Sequence, residues 1–209
     1  MGYHKTTTLE EIHTYQLNQK NRVIYVNSES SDENGESGVD YNLSQRFIKN
    51  LDYLNSLNSN DITVKMMNPG GDWNHGMAMY DAMYYSTSPV TVIMYAYAAS
   101  MGSIIPQAAT KRIIMPSCDF MIHYGTTGGR GDTREVESMI EHYKQSKDQM
   151  IQIYAKRCCE GPFAQEKNMT ETKMFNYIKR KINNDTAWWM TAKEAVYYGF
   201  MDEVYGQAE

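Results

Sequence analysis

The 209-residue chain has little with which to cross-link itself: three cysteines, Cys118, Cys158 and Cys159, the last two adjacent. Neighbouring cysteines pair only under strain and three make no disulfide framework, so reduced thiols in a cytoplasmic setting are expected. No stretch approaches 18 uninterrupted apolar residues and no basic-then-apolar leader opens the sequence, so neither a membrane partner nor secretion is expected. Positive charge is in short supply, 20 basic against 25 acidic side chains for a net charge of -5, which argues against a nucleic-acid partner. No His-Glu-x-x-His spacing occurs, so no metal is expected. Gly70-Gly71 and Gly128-Gly129 lack the Lys-Ser/Thr that would complete a phosphate cradle, so no cofactor is expected either. Met1-Gly2 opens like a myristoylation signal, but the bulky Tyr3 weighs against lipidation.

What is present is ordinary globular material, 42% hydrophobic and 22% charged, enough to bury a substantial core in one domain over 1–209. Sixteen Met and seventeen Tyr are a surplus. They suit an adaptable, partly amphipathic subunit interface, and compositional drift explains them equally well. Residues 1–8 are polar and expected to be loose, ahead of a short helix over 9–17 capped by a threonine. The acidic segment 28–37 has no apolar period and reads as a solvated loop or insertion.

Strand patterns at 22–26 (RVIYV), 61–67 (DITVKMM), 89–96 (PVTVIMYA), 112–115 and 119–123 alternate with helical periods at 41–57, after Asn68-Pro69-Gly70-Gly71, and at 101–109. This alternation predicts an α/β fold with parallel crossovers, in which 89–96 is a central strand covered on both faces. A helical run over 133–160 contains no Gly or Pro. At 1.5 Å per residue it would span about 42 Å, too long to lie wholly on a compact core, so it projects toward another subunit or breaks. Gly161-Pro162 is expected to stop it. A shorter helix over 170–182, a short buried or interface strand at Trp188–Met190 and a capped helix from Thr191 to Gly199 complete the chain.

Ser100, in AASMGS at 98–103, stands where a strand gives way to a helix at the carboxyl edge of the sheet, the usual place for a site. A serine hydroxyl needs a base, and His123 ends another strand of the same sheet. Met101 and Gly71 can each present a backbone N–H nearby, as an oxyanion requires. Each piece also has a structural explanation, as turn, close packing or core histidine; their order and matching strand-end locations favour a joint role.

The combination NPGG (68–71), GMAMYDAM (76–83), AASMGS (98–103), MPSCDFMIHYG (115–125) and TAKEAVYYGFMDEV (191–204) resembles the Clp protease proteolytic subunit family, in character closest to divergent bacteriophage and cyanobacterial members. The resemblance covers most of 22–206. It implies a ClpP/crotonase-like fold of repeated β-β-α units with a protruding handle helix at 133–160, through which two heptameric rings meet as a tetradecamer. It implies Ser100 as nucleophile, His123 as general base, Gly71 and Met101 as oxyanion donors, peptide substrates, and an ATP-driven AAA+ unfoldase as partner.

The family's third catalytic residue is an acid four positions before the pair that here is Thr191-Ala192, and that position is Ala187. Asp185 reaching His123 through a remodelled loop, an Asp-to-Ala change at 187, or a weak or inactive subunit of a mixed ring would each account for it. Asp119 and Asp132 are less suited, one on the strand entering His123 and the other in a loop. PFAQEKNMTETK (162–173) and the acidic loop at 28–37 are additions to the family pattern, and the short amino-terminal segment weakens the case for an axial loop and so for unfoldase docking. A crotonase-type acyl-CoA enzyme shares the architecture without needing Ser100 and His123, and a Ser-Lys peptidase would need Lys111 or Lys193, which have no supporting motif. His75 and His142 are expected at a surface or interface. Trp188 and Trp189 are assigned to core packing ahead of substrate contact.

Overall fold

The computed structural model describes residues 7–27, 31–32, 35–36, 38–126, 128 and 130–207. Residues 1–6, much of the acidic segment and parts of the 124–131 turn lie outside them. Thr7 and Thr8, expected to be loose, instead open the first helix, α1 (Thr8–Tyr15). Thr7 accepts from Glu10 N while Glu10 reaches back to the Thr7 amide, so two orphan donors are satisfied together.

β1 (Leu17–Asn18) runs antiparallel to β2 (Val23–Asn27), and the acidic segment holds a small antiparallel pair, β3 (Ser31–Asp32) and β4 (Gly35–Glu36). α2 (Tyr41–Leu57) starts at Asp40, whose carboxylate accepts from Leu43 N, and buries Leu43, Phe47, Leu51 and Leu54 at helical spacing. β5 (Ile62–Asn68), α3 (Trp73–Tyr84) and β6 (Val90–Ala99) follow, and β2, β5 and β6 are parallel neighbours. The predicted α/β class with parallel crossovers is therefore what the chain adopts.

β6 is shared between two directions of pairing. Its first half pairs with β7 (Lys111–Ile114), its last residues with β8 (Asp119–His123), and Ala96 at φ 53° marks the bend between them. β8 then carries β9 (Ala187–Met190) antiparallel at the edge, while β7 carries β10 (Glu203–Val204) in parallel. The expected double cover of β6 is corrected: Val90, Val92 and Met94 are buried, whereas Thr91, Ile93 and Tyr95 are partly exposed, because the face they share is less completely covered among the described residues.

α4 (Met101–Ile104) continues into a 3₁₀ turn at Ile105–Ala108. α5 (Thr133–Cys158) is the long helix, ending two residues before the expected limit. All its buried residues, Met150, Ile151, Tyr154, Ala155 and Cys158, lie in the last third, so the remainder stands off the core. Gly161-Pro162 does end this run, but it also starts another, since Pro at the first helical position lacks only an N–H that would be orphaned anyway: α6 (Pro162–Glu166). α7 (Glu171–Asp185) has the expected Thr170 cap and runs three residues past the expected end. α8 (Ala192–Tyr197) has the expected Thr191/Glu194 capping box, and Gly199 turns the chain at φ 84°.

Candidate active site

The nucleophile candidate sits on a strained turn. Ser100 has φ 53° and ψ -125°, a backbone conformation that side chains rarely adopt, between the end of β6 and the start of α4. The small residues around it have separate reasons. A Cβ at Gly102 would run into the Asn68 carbonyl, so α4 rests directly on the end of β5. A Cβ at Gly70 would lie 2.6 Å from Ser100 Cβ and 3.0 Å from its Oγ, and Gly70 and Gly71 have φ 118° and 136°, where glycine alone is comfortable. The Asn68 side-chain carbonyl accepts from Gly70 N at 2.8 Å, and Val39 N donates to Gly70 O, which fixes the NPGG turn beside the serine.

The sheet brings the histidine. Ala99 pairs with Met121 across the β6–β8 ladder and Ser100 N donates to Met121 O at 3.0 Å, so the chain emerging from β6 runs beside the end of β8. His123 Nε2 lies 2.8 Å from Ser100 Oγ. The imidazole is half-buried, and burial lowers its pKa below the ordinary histidine value, which favours the neutral form a base needs. With Nε2 accepting from the serine, the ring proton resides on Nδ1.

No carboxylate among the described residues hydrogen-bonds to that Nδ1. Ala187 is the direct cross-strand partner of His123, so the expected acid position faces the imidazole and carries only a methyl group. Asp185, at the end of α7, is turned to Lys181, with 3.2 Å between Oδ2 and Nζ, and is not brought to the imidazole. Thr186, at φ 62°, caps the helix between Asp185 and β9. Asp119 is four residues back along β8, about 13 Å at strand rise, and Asp132 is committed to capping α5 through the amides of Arg134 and Glu135.

Ser100, His123, Gly71 and Met101 line one cleft of about 620 Å³. The Val39–Gly71 bridge uses Gly70 O and Asp72 N, leaving Gly71 N out of it, and Met101 N is the first amide of α4, where no preceding helical turn supplies an acceptor. A base and a hydroxyl in contact, with the backbone of Gly71 and Met101 lining the same space, are the parts that acyl transfer requires. The far wall comes from α5, through Met139, His142, Tyr143, Lys147 and Met150. His142, expected at a surface or interface, is exposed and lines this cleft. Lys147, unmarked in the sequence, lies 4.6 Å from the ring centres of both Tyr124 and Tyr143. Its place on a helical face gave the only available signal.

The lysines of a Ser-Lys arrangement are elsewhere. Lys111 pairs with Glu203 at 2.9 Å, and Lys193 lines a separate cleft of about 580 Å³ with Arg112 and Arg157. Trp188 is buried among Tyr177, Tyr198 and Phe200, as a core role requires, whereas Trp189 is 59% exposed beside Met121 on the outer face of β9. His75 stacks edge-on against Tyr41, with 5.7 Å between ring centres.

The geometry has counterparts in known proteins. The Clp protease family model matches residues 13–208. The ATP-dependent Clp protease proteolytic subunit of Deinococcus radiodurans is 30% identical over 191 residues, covering 90% of this chain and 82% of its own length. The protein of the same description from Streptococcus pyogenes serotype M5 is 29% identical over 171 residues, 79% of this chain and 80% of its own. With its α/β, ClpP/crotonase-like fold and a family match over nearly its whole length, the chain belongs to the Clp protease family.

Proposed function

We propose that this chain is a serine-type endopeptidase subunit that hydrolyses unfolded chains or short peptides within a closed ring assembly in the cytoplasm. The 2.8 Å contact between Ser100 Oγ and His123 Nε2, in a cleft that Gly71 and Met101 also line, is the observation that carries this reading. His123 takes the Ser100 proton as Oγ attacks the peptide carbonyl, and the two amides stabilise the oxyanion. The imidazolium returns the proton to the leaving amine as the C–N bond breaks. Water then attacks the acyl-enzyme by the same route, releasing the second fragment and restoring Ser100.

Two features support assembly. The first two-thirds of α5 has no buried residue and exposes Met139 and Ile140 (46% and 48%), which suits a handle between two rings. The outer face of the parallel sheet, with Tyr25, Lys65, Ile93 and Tyr95, is incompletely covered, although parallel sheets normally bury both faces. Heptameric rings stacked as a tetradecamer, of this chain alone or with related subunits, fit these surfaces. An AAA+ unfoldase partner rests on the relatives, which are described as ATP-dependent.

A second reading, a ring subunit of structural role with weak or no turnover, is favoured by Ala187 opposite His123. A fluorophosphonate probe separates the two: attack by Ser100 Oγ at phosphorus expels fluoride and leaves a phosphonylated serine. Labelling that disappears in Ser100→Ala and His123→Ala supports the peptidase. Labelling that persists unchanged in Ser100→Ala refutes the nucleophile, and no labelling of the unaltered chain favours the structural subunit.

A further inference from the structure

The proposed chemistry leaves two fully buried polar side chains unused, Ser103 and Tyr154, both 0% exposed. Ser103 lies one turn beyond Ser100. Its amide donates to the Ser100 carbonyl at 2.9 Å, and its hydroxyl donates to the same oxygen at 2.6 Å. A serine hydroxyl has one proton, so the 2.7 Å contact between Ser103 Oγ and Tyr154 OH must be donated by the tyrosine. Complete burial pushes the Tyr154 phenol far above its ordinary pKa, so that proton stays in place. Gln107 Nε2 donates to Ser103 O at 2.9 Å, and Arg112 Nη1 donates to Gln107 Oε1 at 2.6 Å, which ties the group to β7.

The Ser100 carbonyl and the Met101 N–H are the two ends of one planar trans peptide and point in opposite directions. Whatever fixes the oxygen therefore aims the N–H. Two donors on the oxygen also polarise the unit and make its N–H a stronger donor. We propose that Ser103, backed by Tyr154 from α5, is a positioning residue that locks the Ser100–Met101 peptide with the Met101 N–H directed into the cleft as an oxyanion donor. This rests on Ser100 being the nucleophile. It also places a group of the long helix two hydrogen bonds from the reacting serine's backbone.

The test measures fluorophosphonate labelling as a rate of inactivation (kinact) and a half-saturating concentration (KI), in the unaltered chain and in parallel in an Ala187→Asp background. Removing an oxyanion donor outright costs about 10²–10³-fold, and here the donor remains but loses its aim. Ser103→Ala is expected to lower kinact about tenfold with KI changed less than about twofold. Tyr154→Phe is expected to lower kinact about threefold alone and not at all in a Ser103→Ala background, because it acts through Ser103. A merely structural hydroxyl would lower the melting temperature without this split or this non-additivity. Ser103→Ala with unaltered kinact, while Ser100→Ala abolishes labelling, overturns the lock and leaves the nucleophile standing. Labelling that survives Ser100→Ala, or is absent from both backgrounds, overturns the nucleophile and the lock with it.

Discussion

Ala187→Asp isolates what the catalytic group lacks. Residues directly opposed on antiparallel strands have Cβ atoms about 4.5–5.5 Å apart and point to the same face, and His123 and Ala187 are such a pair. An aspartate oxygen and the imidazole Nδ1 are each two bonds from their own Cβ, so they can close to a charge-assisted hydrogen bond of about 2.8 Å. In serine triads, spoiling the acid while leaving the other members intact costs about 10⁴ in turnover. Restoring it should therefore raise kcat on a fluorogenic peptide by about 10²–10⁴, or about 3–5 kcal/mol of transition-state stabilisation. A pH signature accompanies the gain. Burial now holds the His123 pKa down, so the neutral base persists to lower pH and the acid limb of the rate profile lies below the ordinary histidine range. A facing carboxylate favours the imidazolium, raises the pKa and moves that limb to higher pH. Turnover within threefold of the unaltered chain, with an unmoved acid limb, would refute the cross-strand argument. A loss of more than tenfold in Asp185→Asn would instead identify Asp185 as the orienting acid, requiring it to leave Lys181.

Other substitutions probe the frame around the serine. Gly70→Ala sets a Cβ 2.6 Å from Ser100 Cβ at φ 118°; labelling should fall at least about 100-fold, with strain of about 1–3 kcal/mol lowering the melting temperature. Gly102→Ala meets the Asn68 carbonyl and should cost about 1–3 kcal/mol in a denaturant titration, and an unchanged midpoint would contradict the close seating of α4 on β5. Arg112, 3% exposed, is gripped by Asp202, so Asp202→Ala should cost about 3 kcal/mol, read from the same titration. Exchanging Ile140 for Glu should halve the particle mass in native mass spectrometry without abolishing Ser100 labelling, and an undiminished particle would remove this part of α5 from the ring contact.

The elements legible in the sequence were those set by local chemistry. The Thr170 and Thr191 caps, the apolar stripe of α2, and the β8 strand ending at His123 depend on neighbours within a few residues, and they stand where periodicity placed them. Sequence order also brought out Ser100 and His123, because both end strands and strand ends converge at one rim. The bend in β6 was not legible. Nothing in MYAYAA distinguishes pairing with β7 from pairing with β8, and Ala96 takes φ 53° without a glycine to signal it. Pro162 read as a stop because a proline is equally suited to end one helix and begin the next. Ser103 and Tyr154 were invisible as a pair, since 51 residues separate them and only the fold brings their hydroxyls together.

The backbone at Ser100 bears on which of the two functions the chain performs. A residue held in a sparsely populated conformation costs of order 1–3 kcal/mol, a sizeable fraction of the stability of a domain. Here that cost comes with a glycine turn that admits no side chain and a hydroxyl pair committed to one carbonyl, beside a cleft lined by Gly71 and Met101. A subunit that only completes a ring gains nothing from any of these, because none touches the exposed part of α5 or the open sheet face. On the proposed reading they serve one end, keeping Ser100 Oγ against His123 and the Met101 N–H turned toward the cleft. The missing carboxylate weakens the base but leaves this arrangement intact, and it therefore argues for a slow peptidase over an idle frame.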